Sequence, residues 1–244
     1  MNQYSPRSQR QLCLVRDVPE KQPILAGCEL FTDLRAEELQ ELSANIPTLL
    51  VPAGYLFSQP GDTQTRLFIL QSGRVQVYYL SSEGHKFILT TIEPVSWFGE
   101  AALARRPARA FTVATEPAKV SVLHPMDWER LLARREVAAA LCHSLARRLQ
   151  ETEAHFADAM FRSVSERLAS LLLRLAQPDT PQHAIVHGFS HQDLANLLGV
   201  HRETVTLALS HLRSSQIVAM GRKHITLLNV PALRELAHEE RSEE

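Results

Sequence analysis

Cysteine is scarce in this 244-residue chain, and long apolar runs are missing altogether. The three cysteines, Cys13, Cys28 and Cys142, form no Cys-x-x-Cys pair, and their odd number argues against a disulfide scaffold. They are also too few for a four-cysteine iron–sulfur cluster within one chain. No stretch approaches the roughly 18 apolar residues of a membrane span. The N-terminus, "MNQYSPRSQRQLCLVRDVPEK", is polar and lacks the apolar core of a secretion signal. These absences predict a cytoplasmic chain with no membrane partner. Gly-x-Ser-x-Gly, a Walker loop, His-Glu-x-x-His and dense acid clusters are absent too, so neither an enzyme nor a metal site is expected. Charge of one sign is also lacking: 26 Lys and Arg stand against 27 Asp and Glu. Bulk charge therefore gives no sign of a polyanionic partner.

What is present is a globular composition, 45% hydrophobic and 22% charged, in a chain long enough to bury a sizeable core. The charge is unevenly spread. Residues 162–230 hold seven basic residues (Arg162, Arg167, Arg174, Arg202, Arg213, Arg222, Lys223) and four acids (Glu166, Asp179, Asp193, Glu203), a balance of 7 − 4 = +3. The tail from Pro231 turns acidic. A basic module masked by acidic segments elsewhere fits this distribution.

The pattern divides the chain. The first 25 or so residues lack periodicity and read as an extension. "ELFTDLRAEELQELSANI" is helical, with Leu34, Leu39, Leu42 and Ile46 on one face and Thr32 or Asp33 as the expected N-cap. Residues 48–123 alternate short β-like runs with Gly and Pro breakers, the pattern of an antiparallel sandwich or barrel. Within them, "RLFILQSGRVQVYYLSSEGHKFILTTI" reads as three successive strands joined by glycine turns. From Pro125 the period is helical again. Val137, Leu141, Leu145, Leu149, Thr152, Phe156 and Met160 form a narrow stripe, suited to a partner helix or to packing on the chain's own barrel. "SVSE" then offers a capping box between Ser163 and Glu166, so one helix stops and another starts at Phe161, Arg162 and Ser163, a hinge.

"SHQDLANLLGVHRETVTLALSHL" is the most specific stretch. Ser190 with Asp193 caps a helix, and Ala195 is small where two helices must cross. Gly199 supplies the positive φ of the turn, and Val200 and Val205 pin the second helix. That spacing is the helix-turn-helix, whose second helix enters the major groove of double-stranded DNA. "QIVAMGRKHITLL" follows as two short strands about a wing, with Arg222 and Lys223 placed to meet phosphate.

Together with "ARRLQET" (146–152) and "LLGVHRETV" (197–205), this order resembles the cyclic-AMP receptor protein/FNR superfamily of bacterial transcription regulators over roughly residues 28–235. The resemblance implies an α+β architecture with an N-terminal antiparallel β-roll or jelly-roll barrel, a long dimerisation helix and a C-terminal winged helix-turn-helix. The expected domains are an extension (1–28), a sensing barrel (29–135), a dimerisation helix (136–161) and a DNA-binding module (162–244). It further implies a homodimer on a palindrome, half-sites about 34 Å apart, and RNA polymerase as a partner.

Family roles carry over residue by residue. Arg202 is matched to guanine O6 and N7 and Glu203 to cytosine N4, pairings of roughly 1–3 kcal/mol each. Ser190, His191, His201, Thr204 and Ser210 suit phosphate positioning. Leu207 stands where many relatives carry a second arginine, so an altered or relaxed base preference is expected there. In "FGEAALARRPARAFTV" (98–113) the likeness is to a phosphate-binding cassette. Gly99 lets the backbone approach, Glu100 accepts from a ribose hydroxyl, and Arg109 and the Ala110 N–H face the singly charged cyclic phosphate. Thr152 matches an adenine contact, whereas Glu153 replaces a serine contributed by the partner subunit. Pro107 is displaced by one position, and Arg105 and Arg106 add charges that the cassette does not require.

No cofactor is expected; cyclic AMP is the expected allosteric ligand. Other readings are a different small ligand, haem on His85 or His124, or no ligand, with Glu100 and Arg109 simply pairing with each other.

Overall fold

The computed structural model describes residues 24–178 and 184–238. They form two compact units: the chain up to Tyr79 with Leu89–Leu149, and Leu80–Ile88 with the residues from Gln150 onward.

In the first unit, two 3-10 turns (Ile24–Gly27, Glu29–Phe31) lead into α1, Ala36–Asn45. Neither Thr32 nor Asp33 caps it. Thr32 ends the preceding turn, where its hydroxyl donates to the Glu29 carbonyl at 3.1 Å. The cap is Arg35, whose N–H donates to Glu38 Oε2 at 3.0 Å.

The strands are β1 (Thr48–Val51), β2 (Leu56–Ser58), β3 (Leu67–Ser72), β4 (Val75–Leu80), β5 (Lys86–Ile92), β6 (Trp97–Phe98), β7 (Phe111–Ala114) and β8 (Ala118–Leu123). A short helix, α2 (Ala101–Ala104), lies between β6 and β7. They make two four-stranded sheets, ordered β1-β8-β3-β6 and β2-β7-β4-β5. The three strands read from "RLFILQSGRVQVYYLSSEGHKFILTTI" are all present, but they do not form a meander. At Gly73 the chain leaves one sheet for the other, so β3 and β4 lie in different sheets. Gly73 has φ +88, and a Cβ there would stand 2.5 Å from the Pro117 carbonyl oxygen. Only glycine fits this corner.

Alternate residues of both sheets point inward, because a strand's side chains reverse face at every step. Leu70, Val75, Phe98, Val120 and Val122 make one core. A second core, around Phe31, Ile69, Trp97 and Leu131, lies under the helices. It includes Trp128 of α3 (Pro125–Leu132) and Val137 and Leu141 of α4 (Arg135–Phe161). Beyond Leu141 the α4 stripe is uncovered in the single chain: Leu149, Phe156 and Met160 are 59%, 68% and 64% exposed.

In the second unit, α5 (Val164–Leu175) begins at the expected box. Glu166 N–H donates to Ser163 Oγ at 3.3 Å, and Ser163 N–H donates to Glu166 Oε2 at 2.6 Å. Then come β9 (Gln177–Pro178), β10 (Ala184–His187), α6 (His191–Leu198), α7 (Arg202–Ser214), β11 (Val218–Gly221), β12 (His224–Leu227) and α8 (Val230–Leu236). The sheet order is β11-β12-β10-β9. Leu168, Leu172, Leu194, Val205, Leu209 and Leu227 form its core. No described helix is long and apolar enough to cross a membrane.

Candidate functional sites: a barrel cavity and a nucleic-acid interface

A cavity of about 610 Å³ opens in the barrel, within the range of small-molecule sites. Its walls are apolar and polar by turns: Val77, Leu89 and Phe98 against Ser58, Gln64 and Thr112. Gly99, Glu100, Arg109 and Ala110, the four cassette residues singled out in the sequence, all line it, as does Arg106. Thr152 and Glu153 belong to the other unit and are exposed on α4.

Gly99 is required here for the chain's own path. Its φ is +99, and a Cβ would come within 2.7 Å of the Arg66 carbonyl oxygen. The chain then turns through α2 and leaves it at Arg105, which is left-handed with φ 51. The following segment is pinned to the loop opposite. Ala108 N–H donates to the Asp62 carbonyl at 2.8 Å, and Gly61 N–H donates to the Ala108 carbonyl at 2.9 Å. Pro107 bridges Thr63. The shifted proline therefore anchors the loop from which Arg109 emerges.

Glu100 and Arg109 do not pair. Glu100 Oε2 instead lies 4.0 Å from an Arg148 nitrogen, and the Arg109 guanidinium has no hydrogen bond or ion pair among the described residues. The reading of these residues as a closed pair of barrel charges is thereby corrected. The reason is geometric: α2 and the pinned loop separate them, and Arg148 on α4 is the nearer cation.

Arg148 belongs to a polar network that sequence reasoning missed. Its guanidinium stacks over Trp97 at 4.0 Å and donates to the Trp97 carbonyl at 2.6 Å. The fully buried Trp97 donates its indole N–H to Ser144 Oγ (3.0 Å) and Glu29 Oε1 (3.2 Å). Ser144 in turn donates to Glu29 at 2.6 Å, and Arg147 pairs with the same carboxylate. Burial alone would raise the Glu29 carboxyl, but the Ser144 hydroxyl and the Arg147 charge outweigh it and hold it below the usual range. A tryptophan beside Phe-Gly-Glu was legible; its partners 47 and 68 positions away were not.

The second site is the reading face of α6 and α7. Ser190 caps α6 reciprocally with Asp193, and Gly199 ends it at φ 67. Ala195 and Val205, both fully buried, seat the two helices together. Arg202, Glu203, Leu207 and Ser210 are exposed on α7, as is His201 at its N-cap. Thr204 is half-buried. His191 does not stand free: its Nδ1 lies 2.9 Å from Thr206 Oγ1. That hydroxyl already donates to the Arg202 carbonyl at 3.0 Å. The contact ties the start of α6 to α7 beside Arg202. Thr206 escaped notice because its role depends on a helix 15 positions away. Arg222 and Lys223 form the tip between β11 and β12, both exposed, with Lys223 left-handed at φ 63.

At the start of α5, Arg162 is a clamp. It donates to the Ala237 carbonyl (2.6 Å) and Ser170 Oγ (2.8 Å) and pairs with Asp158 at 3.3 Å. Phe161, 87% exposed, precedes it. Among the described residues no cluster could hold a metal ion. Cys28 is wholly buried, and burial pushes its thiol up to about 11, which makes it a poor thiolate ligand. Cys13 lies outside the described residues.

Two family models match the chain: a cyclic nucleotide-binding domain over residues 49–135 and a Crp-like helix-turn-helix domain over 166–236. The chain is 30% identical over 194 residues to the "CRP-like cAMP-activated global transcriptional regulator" of Mycobacterium tuberculosis, covering 77% of this chain and 86% of that protein. It is 31% identical over 182 residues to the "Global nitrogen regulator" of Synechococcus elongatus, covering 71% and 82%. A solved CRP/FNR-family regulator from Thermus thermophilus superposes with a TM-score of 0.65 at 25% identity, covering 79% of this chain and 98% of that one. With a nucleotide-binding type of barrel, a long helix and a Crp-like reader in one chain, this protein belongs to the CRP/FNR family of transcription regulators.

Proposed function

We propose that the protein is a homodimeric regulator that binds a palindromic operator and is switched by a cyclic nucleotide, cyclic AMP first among them, held in the barrel. The observation that carries this reading is the unpaired Arg109 in a cavity also lined by Glu100. A guanidinium without a protein anion is an open site for a phosphate, and a carboxylate in the same cavity lining suits a ribose hydroxyl. The Mycobacterium relative is a cAMP-activated regulator, which supports the same ligand class.

The uncovered α4 stripe supports the dimer, because exposed Leu149, Phe156 and Met160 at helical spacing would be buried by a second copy. Thr152 and Glu153 are exposed on the same helix, and in this reading they meet the ligand at the dimer seam. Arg202 and Glu203 read base edges, and Ser190, His201, Ser210, Arg222 and Lys223 contact phosphate. RNA polymerase is the partner through which the bound dimer acts. Ligand acts by its differential affinity for two arrangements of the Phe161–Ser163 hinge. Transcription control rather than turnover is the function.

The test is calorimetric titration of the whole protein with cyclic AMP, with cyclic GMP and Arg109→Ala as controls, followed by footprinting on a palindromic operator. Micromolar binding that the variant loses supports the reading. No heat from either nucleotide would remove the cyclic mononucleotide from it.

A further inference from the structure

Three arginines occupy the short loop after α2, and the structure separates their roles. Arg105 is left-handed and turns away to Glu129, 3.9 Å distant. Arg109 lines the cavity as the cassette requires. Arg106 lines the cavity as well, and like Arg109 it has no hydrogen bond or ion pair from its side chain among the described residues.

The backbone between the two cavity arginines is pinned. Between them Pro107 bridges Thr63, and Ala108 exchanges backbone hydrogen bonds with Gly61 and Asp62. Arg106 N–H itself closes onto the Ala101 carbonyl at 3.4 Å. The lining residues thus include two arginines and one glutamate, and the carboxylate of that glutamate already faces Arg148. A cyclic mononucleotide brings one negative charge. It would satisfy Arg109 and leave Arg106 unmatched.

We propose that Arg106 is a specificity residue of this cavity and that the preferred ligand is a nucleotide carrying at least two phosphate charges. The inference rests on the reading of the cavity as a nucleotide site and replaces cyclic AMP as its preferred occupant. Arg109 holds one phosphate, and Arg106 rewards a second through a charge-assisted hydrogen bond that a cyclic mononucleotide cannot make. A bis-phosphodiester ring and a linear diphosphate share this chemistry.

The test titrates the full-length protein with cyclic AMP, cyclic di-GMP and ADP in parallel, and repeats it with Arg106→Ala, Arg106→Lys and Arg109→Ala. Thermal melts check that each variant is folded. The expected result is that cyclic di-GMP or ADP binds about tenfold or more tightly than cyclic AMP. Arg106→Ala should erase that margin while leaving cyclic AMP within about threefold, and Arg106→Lys should keep part of it. Preference for cyclic di-GMP identifies the ring, and preference for ADP identifies the diphosphate. Cyclic AMP binding that depends on Arg109 and ignores Arg106, with no gain for the other two, overturns this inference alone. Silence toward all three nucleotides overturns it together with the nucleotide reading of the cavity.

Discussion

Arg148 grips Trp97 twice: its guanidinium carbon lies 4.0 Å from the centre of the indole ring, and its terminal NH2 group donates to the Trp97 carbonyl at 2.6 Å. Trp97 lies two residues before Gly99 and three before Glu100, so this contact ties the cavity edge to α4. Loss of the stacking and the hydrogen bond in Arg148→Ala should cost about 1–3 kcal/mol. Urea unfolding followed by tryptophan fluorescence in a Trp128→Phe background measures it. An unchanged midpoint would show that the contact contributes nothing to stability.

Gly99→Ala should destabilise the barrel by about 2 kcal/mol or more, since φ +99 is strained for alanine and the added Cβ meets a backbone oxygen at 2.7 Å. A calorimetric melt checks this. Melting at the wild-type temperature would mean that the turn relaxes freely.

Ser163→Ala removes the hydroxyl that accepts from Glu166 N–H. A cost of about 1 kcal/mol is expected, with Ser163→Thr close to wild type. Denaturant unfolding of both variants reads it. Equal stability of the two would deny the cap its role.

Glu38 carries a pH dependence. The Arg35 backbone N–H, the Arg35 side chain and Arg134 lower its carboxyl from 4.5 to about 2. A folded-state value below the unfolded one means that the ionised form favours folding. Its contribution is complete above pH 4.5 and is lost as pH falls toward 2. The melting temperature of Glu38→Gln should therefore lie below wild type at pH 7, and the gap should close as the pH is lowered from 4.5 toward 2. A gap independent of pH would assign the effect to shape instead of charge.

On DNA, Arg202→Ala should weaken specific binding by about 1–3 kcal/mol and relax preference at one base pair. Lys223→Ala should weaken binding to all sequences alike and lower the salt dependence. Selection of half-sites from a random pool, with salt titrations of the selected duplex, separates the two outcomes. Leu207→Arg should add a guanine preference at the adjacent position, because leucine has no donor and arginine has a bidentate pair.

Local signals carried most of the architecture. Helix caps at Ser163 and Ser190 use partners three residues away, and the turns at Gly73, Gly84 and Gly199 reflect backbone freedom of single residues. The α4 period, the α6–α7 spacing and the wing about Arg222 and Lys223 are likewise written in neighbouring positions. Such features are legible because both partners lie within a turn or two of chain. Tertiary structure alone decided which groups meet. It placed β3 and β4 in different sheets, turned Glu100 toward Arg148 and away from Arg109, and left Arg106 and Arg109 unpaired in one cavity. It also assembled Glu29, Trp97 and Ser144 from three separate elements and engaged His191 with Thr206. Charge pairing depends on distance and burial, and both are set only when segments far apart in sequence pack together.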